Sequence, residues 1–182
     1  MSGQAKAAMR ILGIDPGTAT VGFGVLDCPP PSGLAREHFQ CIAAGVIKTP
    51  KELCAGERLK MIREDLLTLI GEYKPDVAVV EAIFFFKNAK TLVPVAQARG
   101  VILEAAAASG IPVAEYTPMQ VKLTVAGFGR AEKQVVQECI ARLFNHSQII
   151  RPDDAADALA LAICHSRMLL PANAPSAQQA TV

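Results

Sequence analysis

Acidic residues at the ends of predicted elements are the features of this sequence that could carry chemistry. Asp15 follows the short apolar segment 11–14 and precedes Pro16-Gly17, so it lies where a predicted strand ends. A carboxylate at that point either lines an active site or belongs to a hairpin turn, because Asp-Pro-Gly also favours turns. The sequence offers further carboxylates that bear on the choice.

Glu81 ends a second buried strand, residues 77–80, which is apolar on both faces, as a central strand covered by helices would be. Asp154 and Asp157 are three residues apart in a predicted helix that begins near Asp153, so their side chains project from one face, about 5–6 Å apart at Cβ. Aspartates in a first helical turn also offset the helix dipole, which would explain one or two of them without any function.

These four carboxylates meet if the first and fourth strands are parallel neighbours. Asp15 and Glu81 then leave the sheet at the same edge, and the last helix presents the other two beside them. Four adjacent anions need cations, and oxygen ligands without histidine or cysteine select Mg²⁺ or Mn²⁺. Two ions about 4 Å apart can activate water and stabilise a departing oxygen at phosphorus, so the pattern predicts phosphodiester hydrolysis. The predicted catalytic and metal-binding residues are Asp15, Glu81, Asp154 and Asp157.

The elements that must position these residues follow the order β-β-β-α-β-α-β-α-α-α. This order predicts an α/β domain with a five-stranded mixed sheet, three antiparallel strands and then two parallel ones, flanked by helices on both faces. Thr117-Pro118 with Gln120 forms a predicted helix start with a capping box. The alanine-rich helix before it is expected to begin near Thr91, which would place Pro94 in its first turn.

Length and composition predict one compact domain. The chain has 182 residues, 51% of them hydrophobic, and a net charge of +1 that excludes a global electrostatic preference for nucleic acid. We expect a disordered extension at 1–9, a single domain at 10–170 and a disordered tail at 171–182. The five cysteines include no Cys-x-x-Cys pair, and no apolar stretch is long enough to span a membrane, so we expect a cytoplasmic protein without a membrane segment.

Several separate blocks of the sequence, in order between Arg10 and His165, resemble the RuvC family of bacterial Holliday junction resolvases, which belongs to the ribonuclease H-like superfamily. The blocks are Gly13-Ile14-Asp15-Pro16-Gly17-Thr18, Glu81 with Phe84 and Lys87-Asn88-Ala89, Gln97-Ala98-Arg99-Gly100, Gln120-Val121-Lys122, Ala131-Glu132-Lys133 and Asp154-Ala155-Ala156-Asp157-Ala158-Leu159-Ala160. The resemblance implies a ribonuclease H-like fold and a magnesium-dependent homodimer that nicks two like strands of a four-way junction in recombination and repair. It also implies a RuvA–RuvB branch-migration complex as partner.

Basic and aromatic residues between 82 and 133 are the predicted contacts with DNA. This segment contains six basic and three acidic residues. Basic side chains that contact phosphates supply affinity for DNA but do not recognise its base sequence. Phe84 begins a run of three phenylalanines directly after the Glu81 strand, and by resemblance it is assigned to stacking at the junction. The predicted DNA-binding residues are Phe84, Lys87, Arg99, Lys122 and Lys133.

Two further residues near the predicted site have open roles. Asp153 is an additional acid directly before the matching pair, and we expect it to contact the metal ligands rather than the ions. His165 lies two turns beyond Asp157 and could assist at the pocket edge, although a solvated or core histidine is the preferred interpretation.

Three other functions share parts of the pattern. A sugar-kinase or actin-like ATPase also carries Asp-x-Gly-Thr after a strand, but it needs a second phosphate loop and a second domain, which this length does not accommodate. A catalytically silent junction-binding protein would not need all four acids. A ribonuclease acting on RNA–DNA hybrids would share the fold and the metals but not the phenylalanine loop.

Overall fold

The computed structural model describes residues 8–28, 39–82, 89–145 and 148–169, and for 89–91 the backbone alone. The elements follow the predicted order. They are β1 (Met9–Asp15), β2 (Thr20–Cys28), β3 (Gln40–Lys48), α1 (Ala55–Tyr73), β4 (Val77–Glu81), α2 (Ala89–Ala108), β5 (Val113–Tyr116), α3 (Pro118–Ala126), α4 (Lys133–Leu143) and α5 (Asp153–Leu169).

The five strands form one mixed sheet in the order β3-β2-β1-β4-β5. β1 and β3 both pair with β2 in antiparallel fashion, whereas β4 pairs in parallel with β1 and with β5. The predicted sheet of three antiparallel and two parallel strands is therefore confirmed. In the parallel pairing, Ile14 of β1 lies opposite Val80 of β4, which fixes where the two strands end relative to each other.

Helices cover both faces of the sheet, and alternation along each strand divides the core between them. Ile11 of β1 packs in a cluster with α3, α4 and α5, whereas Leu12 and Ile14 pack in a second cluster with α1 and α2. In β4, Val79 belongs to the first cluster and Val80 to the second. Alternate residues of a strand thus face opposite helical layers.

Helix α5 lies directly on the backbone of β1 and β2. The α5 alanines are fully buried, and a Cβ added to Gly13 would come within 1.9 Å of the carbonyl oxygen of Ala158. A Cβ added to Gly22 would come within 2.0 Å of the carbonyl oxygen of Asp154. Close approach therefore depends on small residues on both sides.

Local sequence signals end and start the helices largely as predicted. α3 has Thr117 as its N-cap, and the Thr117 hydroxyl accepts a hydrogen bond from the backbone N–H of Gln120 at 3.2 Å. α2 begins at Ala89, two residues before the expected start near Thr91. Pro94 is therefore the sixth helical residue and removes one backbone hydrogen bond, a loss that the prediction had avoided by placing it in the first turn.

At the N-terminus, the domain begins earlier than expected. Met9 is the first residue of β1, pairs with Cys28 and packs against the core, so it belongs to the domain rather than to the predicted extension. Residues 1–7 of that extension and the predicted tail, 171–182, lie outside the described residues. No helix in the described ranges is long and apolar enough to cross a membrane, and the five cysteines are free thiols.

Candidate active site

Strand alternation places Asp15 and Glu81 on the same face of the sheet, toward α5. Ile11 of β1 and Val79 of β4 pack against the α5 layer. Asp15 lies four residues after Ile11 and Glu81 two residues after Val79, so both acids point to the same face as these core residues. Because β1 and β4 are parallel and in register up to Ile14, the two acids lie next to each other at the carboxyl ends of neighbouring strands.

Helix α5 brings the remaining acids to the same place. Gly22 is the β2 partner of Asp15, and the backbone of Asp154 rests on its Cα. The first turn of α5 is therefore held directly beside β1, with Asp157 three residues further along the helix. A side chain at position 22 would separate the helix from the strand that ends in Asp15.

The four predicted acids line one cavity of about 430 Å³. Two lysines, Lys122 and Lys133, line it with them, and apolar residues of α3, α4 and α5 complete it. The lining residues are Asp15, Glu81, Pro118, Val121, Lys122, Lys133, Val136, Asp154, Asp157, Ala160 and Leu161. The spatial convergence expected from the sequence is thus present, although the acids lie on three different elements.

The cavity carries more negative than positive charge, and the pKa of its deepest acid reflects this. Burial, followed by the charges of Glu81, Asp157 and Asp154, raises the pKa of Asp15 to about 7. Burial and the charge of Asp157 also raise the pKa of Glu81, while the nearby lysines oppose that change. Ionising all four acids together is therefore unfavourable without additional positive charge.

Lys133 is the cation in closest contact with the acids. Its Nζ lies 2.7 Å from Oδ2 of Asp157 and 3.7 Å from Oδ2 of Asp153. Burial opposes the charged lysine, but the hydrogen bond and the charge of Asp157 outweigh it and raise the pKa of Lys133. Asp153 also pairs with Arg151 and does not line the cavity, so its contact with the site runs through Lys133.

The carboxylates of the cavity are chemically suited to a hard divalent cation. All four candidate ligands are carboxylates, the preferred ligands of Mg²⁺ and Mn²⁺, and a bound cation would relieve the repulsion among them. Within the described ranges, no three histidine, cysteine or acidic side chains stand close enough together to hold an ion as they are arranged. Binding would therefore require the side chains to draw together.

The other predicted site residues are distributed differently. Lys122 lines the cavity, and its charge opposes the raised pKa of Glu81. Arg99 instead pairs with Glu115 of β5 and does not line the cavity. Phe84 and Lys87 lie outside the described residues.

His165 is a core residue rather than part of the cavity. It is 8% exposed, and its Nδ1 lies 2.9 Å from the hydroxyl of Tyr116 on β5. Burial lowers the pKa of His165, which favours the neutral ring. The preferred sequence interpretation, a core or solvated histidine, fits this position better than assistance at the pocket edge.

Sequence reasoning missed the glycines that position α5. Gly13 and Gly22 hold no chemistry themselves, but each provides the space that a helix backbone occupies above the sheet. Their signal was present as the alternation Gly22-x-Gly24 in a predicted strand, where glycine often marks close backbone approach. Which partner approaches them depends on the tertiary packing of α5.

Comparison with known proteins matches most of this chain to one family. The family model described as crossover junction endodeoxyribonuclease RuvC matches residues 11–165. A crossover junction endodeoxyribonuclease RuvC from Syntrophomonas wolfei is 53% identical over 157 residues, covering 86% of this chain and 88% of the relative. Another from Thermotoga petrophila is 48% identical over 158 residues, covering 87% and 92%.

Solved structures agree with the sequence comparison. The structure of Thermus thermophilus RuvC in complex with Holliday junction substrate is similar, with a TM-score of 0.79 and 33% identity, over 88% of this chain and 94% of that one. The matched family segment, 11–165, contains all four acids and both lysines of the cavity.

Proposed function

The chain belongs to the RuvC family of crossover junction endodeoxyribonucleases, with the ribonuclease H-like fold, and from this we propose that it resolves four-way DNA junctions. The reaction is hydrolysis of a phosphodiester bond in each of two like strands, in recombination and repair. The observation that carries the proposal is the single cavity lined by Asp15, Glu81, Asp154 and Asp157 together with two lysines. Family membership supplies the substrate class, and the cavity supplies the chemistry.

We assign the four acids as the catalytic metal ligands, for Mg²⁺ with Mn²⁺ as a substitute. Two such ions bound there would supply an activated water and stabilise the departing oxygen. The excess negative charge of the cavity supports this assignment, because it favours the binding of divalent cations. Asp153 is proposed to act on the site through Lys133, not as an ion ligand.

Lysines in the cavity have two roles in the proposed reaction. Lys133 holds the Asp157 carboxylate in place at 2.7 Å, which fixes its orientation when the cavity fills. Lys122 also lines the cavity, where its charge opposes the raised pKa of Glu81, and it offers positive charge to any phosphate that enters. Both positions suit the stabilisation of charge that develops on a non-bridging oxygen during displacement.

The DNA duplex arms and the crossover need contacts beyond the cavity. We propose that Phe84 stacks on a base at the crossover and that Lys87 and Arg99 contact phosphates near it, with Lys122 and Lys133 at the scissile group. In the described structure, Arg99 is engaged with Glu115, so phosphate contact would require an exchange of partners.

Symmetric cleavage of two like strands requires two active sites, so we propose a homodimer. The alanine-rich helix α2 is the candidate contact surface, and its Val93 is 60% exposed in the single chain. A cytoplasmic location and a RuvA–RuvB branch-migration partner are proposed on the same grounds of family membership.

One incubation series tests the proposed function. The full chain is incubated with a synthetic four-way junction, the matching linear duplex and an RNA–DNA hybrid, each with Mg²⁺, with Mn²⁺ and with chelator. We expect paired nicks in the junction with metal, none with chelator, and little cleavage of the other two substrates.

Each other outcome selects a different function. Preferential cleavage of the hybrid would identify a ribonuclease, and binding of the junction without cleavage in either metal would identify a silent junction-binding protein. Cleavage of the junction that persists in chelator would contradict the metal assignment while leaving the substrate assignment intact.

A further inference from the structure

The turn that follows Asp15 is held from behind by two residues distant in sequence. Thr49, directly after β3, donates a hydrogen bond from its hydroxyl to the backbone carbonyl of Thr18 at 2.5 Å. Arg58, in the first turn of α1, donates from Nη2 to the same carbonyl at 2.9 Å. Arg58 also donates from Nε to the Thr49 hydroxyl at 2.8 Å, which closes a ring of three hydrogen bonds.

This ring is connected to the next carbonyl of the same turn. The backbone N–H of Thr49 donates to the carbonyl of Ala19 at 3.1 Å. Two successive carbonyls of the turn 16–19 are therefore fixed by one buried residue, since Thr49 is 7% exposed. The turn is also closely packed, because a Cβ on Gly17 would come within 2.2 Å of the Thr20 carbonyl oxygen.

Asp15 immediately precedes this turn. Asp15 is the last residue of β1, so its backbone is held by strand pairing on one side and continues into the turn on the other. Asp15 shares the cavity with three other carboxylates, and repulsion among these acids would favour its displacement if the turn were free to move. Fixing the turn carbonyls restrains that movement.

We propose that Arg58 and Thr49 are positioning residues for Asp15, holding the turn that aims its carboxylate into the cavity. The inference rests on the proposed junction-cleaving function and extends it to residues that neither line the cavity nor carry a predicted role. Within the described ranges, Arg58 pairs with no carboxylate, so its guanidinium serves here through geometry rather than through an ion pair.

The geometry requires the forked guanidinium. Nε and Nη2 lie on one edge of a planar group and reach two acceptors at once, whereas a lysine ammonium is a single point on a flexible stem. Arg58→Lys keeps the charge but loses the double contact. Likewise, Thr49→Ser keeps the hydroxyl, and Thr49→Val keeps the shape while removing it.

Junction cleavage and junction binding are measured separately for Arg58→Ala, Arg58→Lys, Thr49→Val and Thr49→Ser. We expect the first three to lower kcat about 10- to 100-fold, because small misplacement of a reacting group is costly, with the Kd for the junction unchanged within about twofold. Thr49→Ser should retain most of the wild-type kcat, because it keeps the hydroxyl. Arg63→Ala is the matched control, since Arg63 lies on the same helix but pairs with exposed Glu104.

Hydrogen–deuterium exchange in the absence of DNA gives a readout independent of activity. The Thr49 amide bonds to the turn, so it should exchange faster in Arg58→Ala and at the wild-type rate in Arg63→Ala. If Arg58→Ala does not fold, Thr49→Val and Thr49→Ser decide the same question. Valine replaces the threonine hydroxyl with a methyl group, whereas serine keeps the hydroxyl and lacks the methyl group.

The outcomes separate this inference from the proposed function. Wild-type kcat in Arg58→Ala and Thr49→Val, alongside an inactive Asp15→Asn, would overturn the positioning role while leaving the nuclease assignment intact. A rate loss matched by an equal loss of junction affinity would make Arg58 a DNA contact and also overturn it. Absence of cleavage by the wild-type chain would instead refute the proposed function.

Discussion

Lys133 and Asp157, which both line the cavity, form a direct ion pair with Nζ and Oδ2 separated by 2.7 Å. The two residues lie on different helices, α4 and α5, so the pair joins the helices at the wall of the site. The lysine provides part of the positive charge that the acids require, and its charge lowers the otherwise raised pKa of Asp15, Glu81 and Asp157. Lys133 therefore affects both the stability of the metal-free protein and the charge of the site.

Lys133→Ala should destabilise the protein more in chelator than in Mg²⁺. Without the ammonium, the acids repel one another with less compensation, and bound divalent ions would restore the balance. Thermal unfolding with and without 10-fold excess Mg²⁺ over its apparent Kd measures the difference. Lys60→Ala is the control, since Lys60 is exposed and 3.7 Å from Glu64 in an ordinary surface pair. Equal destabilisation of Lys133→Ala in both conditions would contradict the prediction.

Asp15→Asn should flatten the dependence of metal-free stability on pH. The pKa of Asp15 is raised to about 7 in the folded chain from an ordinary value near 3.8, so between these values the folded state binds a proton that the unfolded state does not. Stability therefore falls as pH rises from about 4 to about 7, and the loss is complete above that range. The contribution is on the order of 2 kcal/mol after allowing for relaxation of the site.

Urea unfolding in chelator at pH 5 and pH 8 checks this sign. Wild type should lose more free energy of unfolding between the two pH values than Asp15→Asn, which keeps the shape and carries no charge. The raised pKa values of Glu81 and Asp157 leave a smaller slope of the same sign in the variant. Parallel pH profiles for the two proteins would contradict the prediction, because they would show that folding does not raise the pKa of Asp15.

Asp154→Asn and Asp153→Asn should differ in cleavage rate, because we assign Asp154 as a metal ligand and the adjacent Asp153 as a supporting residue. Asp154 lines the cavity, whereas Asp153 faces Lys133 and Arg151. We expect the first to lower cleavage by at least about 10³-fold with junction binding retained, and the second to lower it by less than about tenfold. Single-turnover cleavage and gel-shift binding in Mg²⁺ measure both. A larger loss in Asp153→Asn would reverse their assigned roles.

The sequence was sufficient to predict the order of elements and the convergence of the four acids, for identifiable physical reasons. Asp15 and Glu81 each end a strongly apolar strand, and the two strands are parallel neighbours in register, so both acids lie at the same end of the sheet. The capping box at Thr117 is a local signal and was therefore readable. Long-range convergence of the acids followed from these local signals once β1 and β4 were adjacent.

Features set by tertiary packing were not predictable from local patterns. The start of α2 at Ala89 contradicts the local preference for Pro94 in a first turn. The ring joining Arg58 and Thr49 to the turn after Asp15 connects residues 31 and 40 positions from Thr18, and no sequence pattern signals it. The pairing of Arg99 with Glu115 likewise depends on how α2 lies against β5.

Gly13→Ala should disrupt the contact between α5 and the sheet and so affect stability and cleavage together. The added methyl group would lie 1.9 Å from the Ala158 carbonyl oxygen, which is part of a helix backbone and cannot rotate away. The helix must then shift from β1, at a cost of about 3 kcal/mol. Because Asp154 and Asp157 are on that helix, the shift also moves them relative to Asp15, and cleavage should fall more steeply than stability alone explains.

Gly71→Ala provides the matched control, because the same methyl group at position 71 meets nothing within 4 Å. Gly71 is exposed near the end of α1, where alanine favours the helix by about 0.5–1 kcal/mol. Chemical denaturation and junction cleavage at a temperature where both variants are folded compare the two. If Gly13→Ala kept wild-type stability and rate, α5 would have room above β1, and the close contact that places the aspartates beside Asp15 would not be required for catalysis.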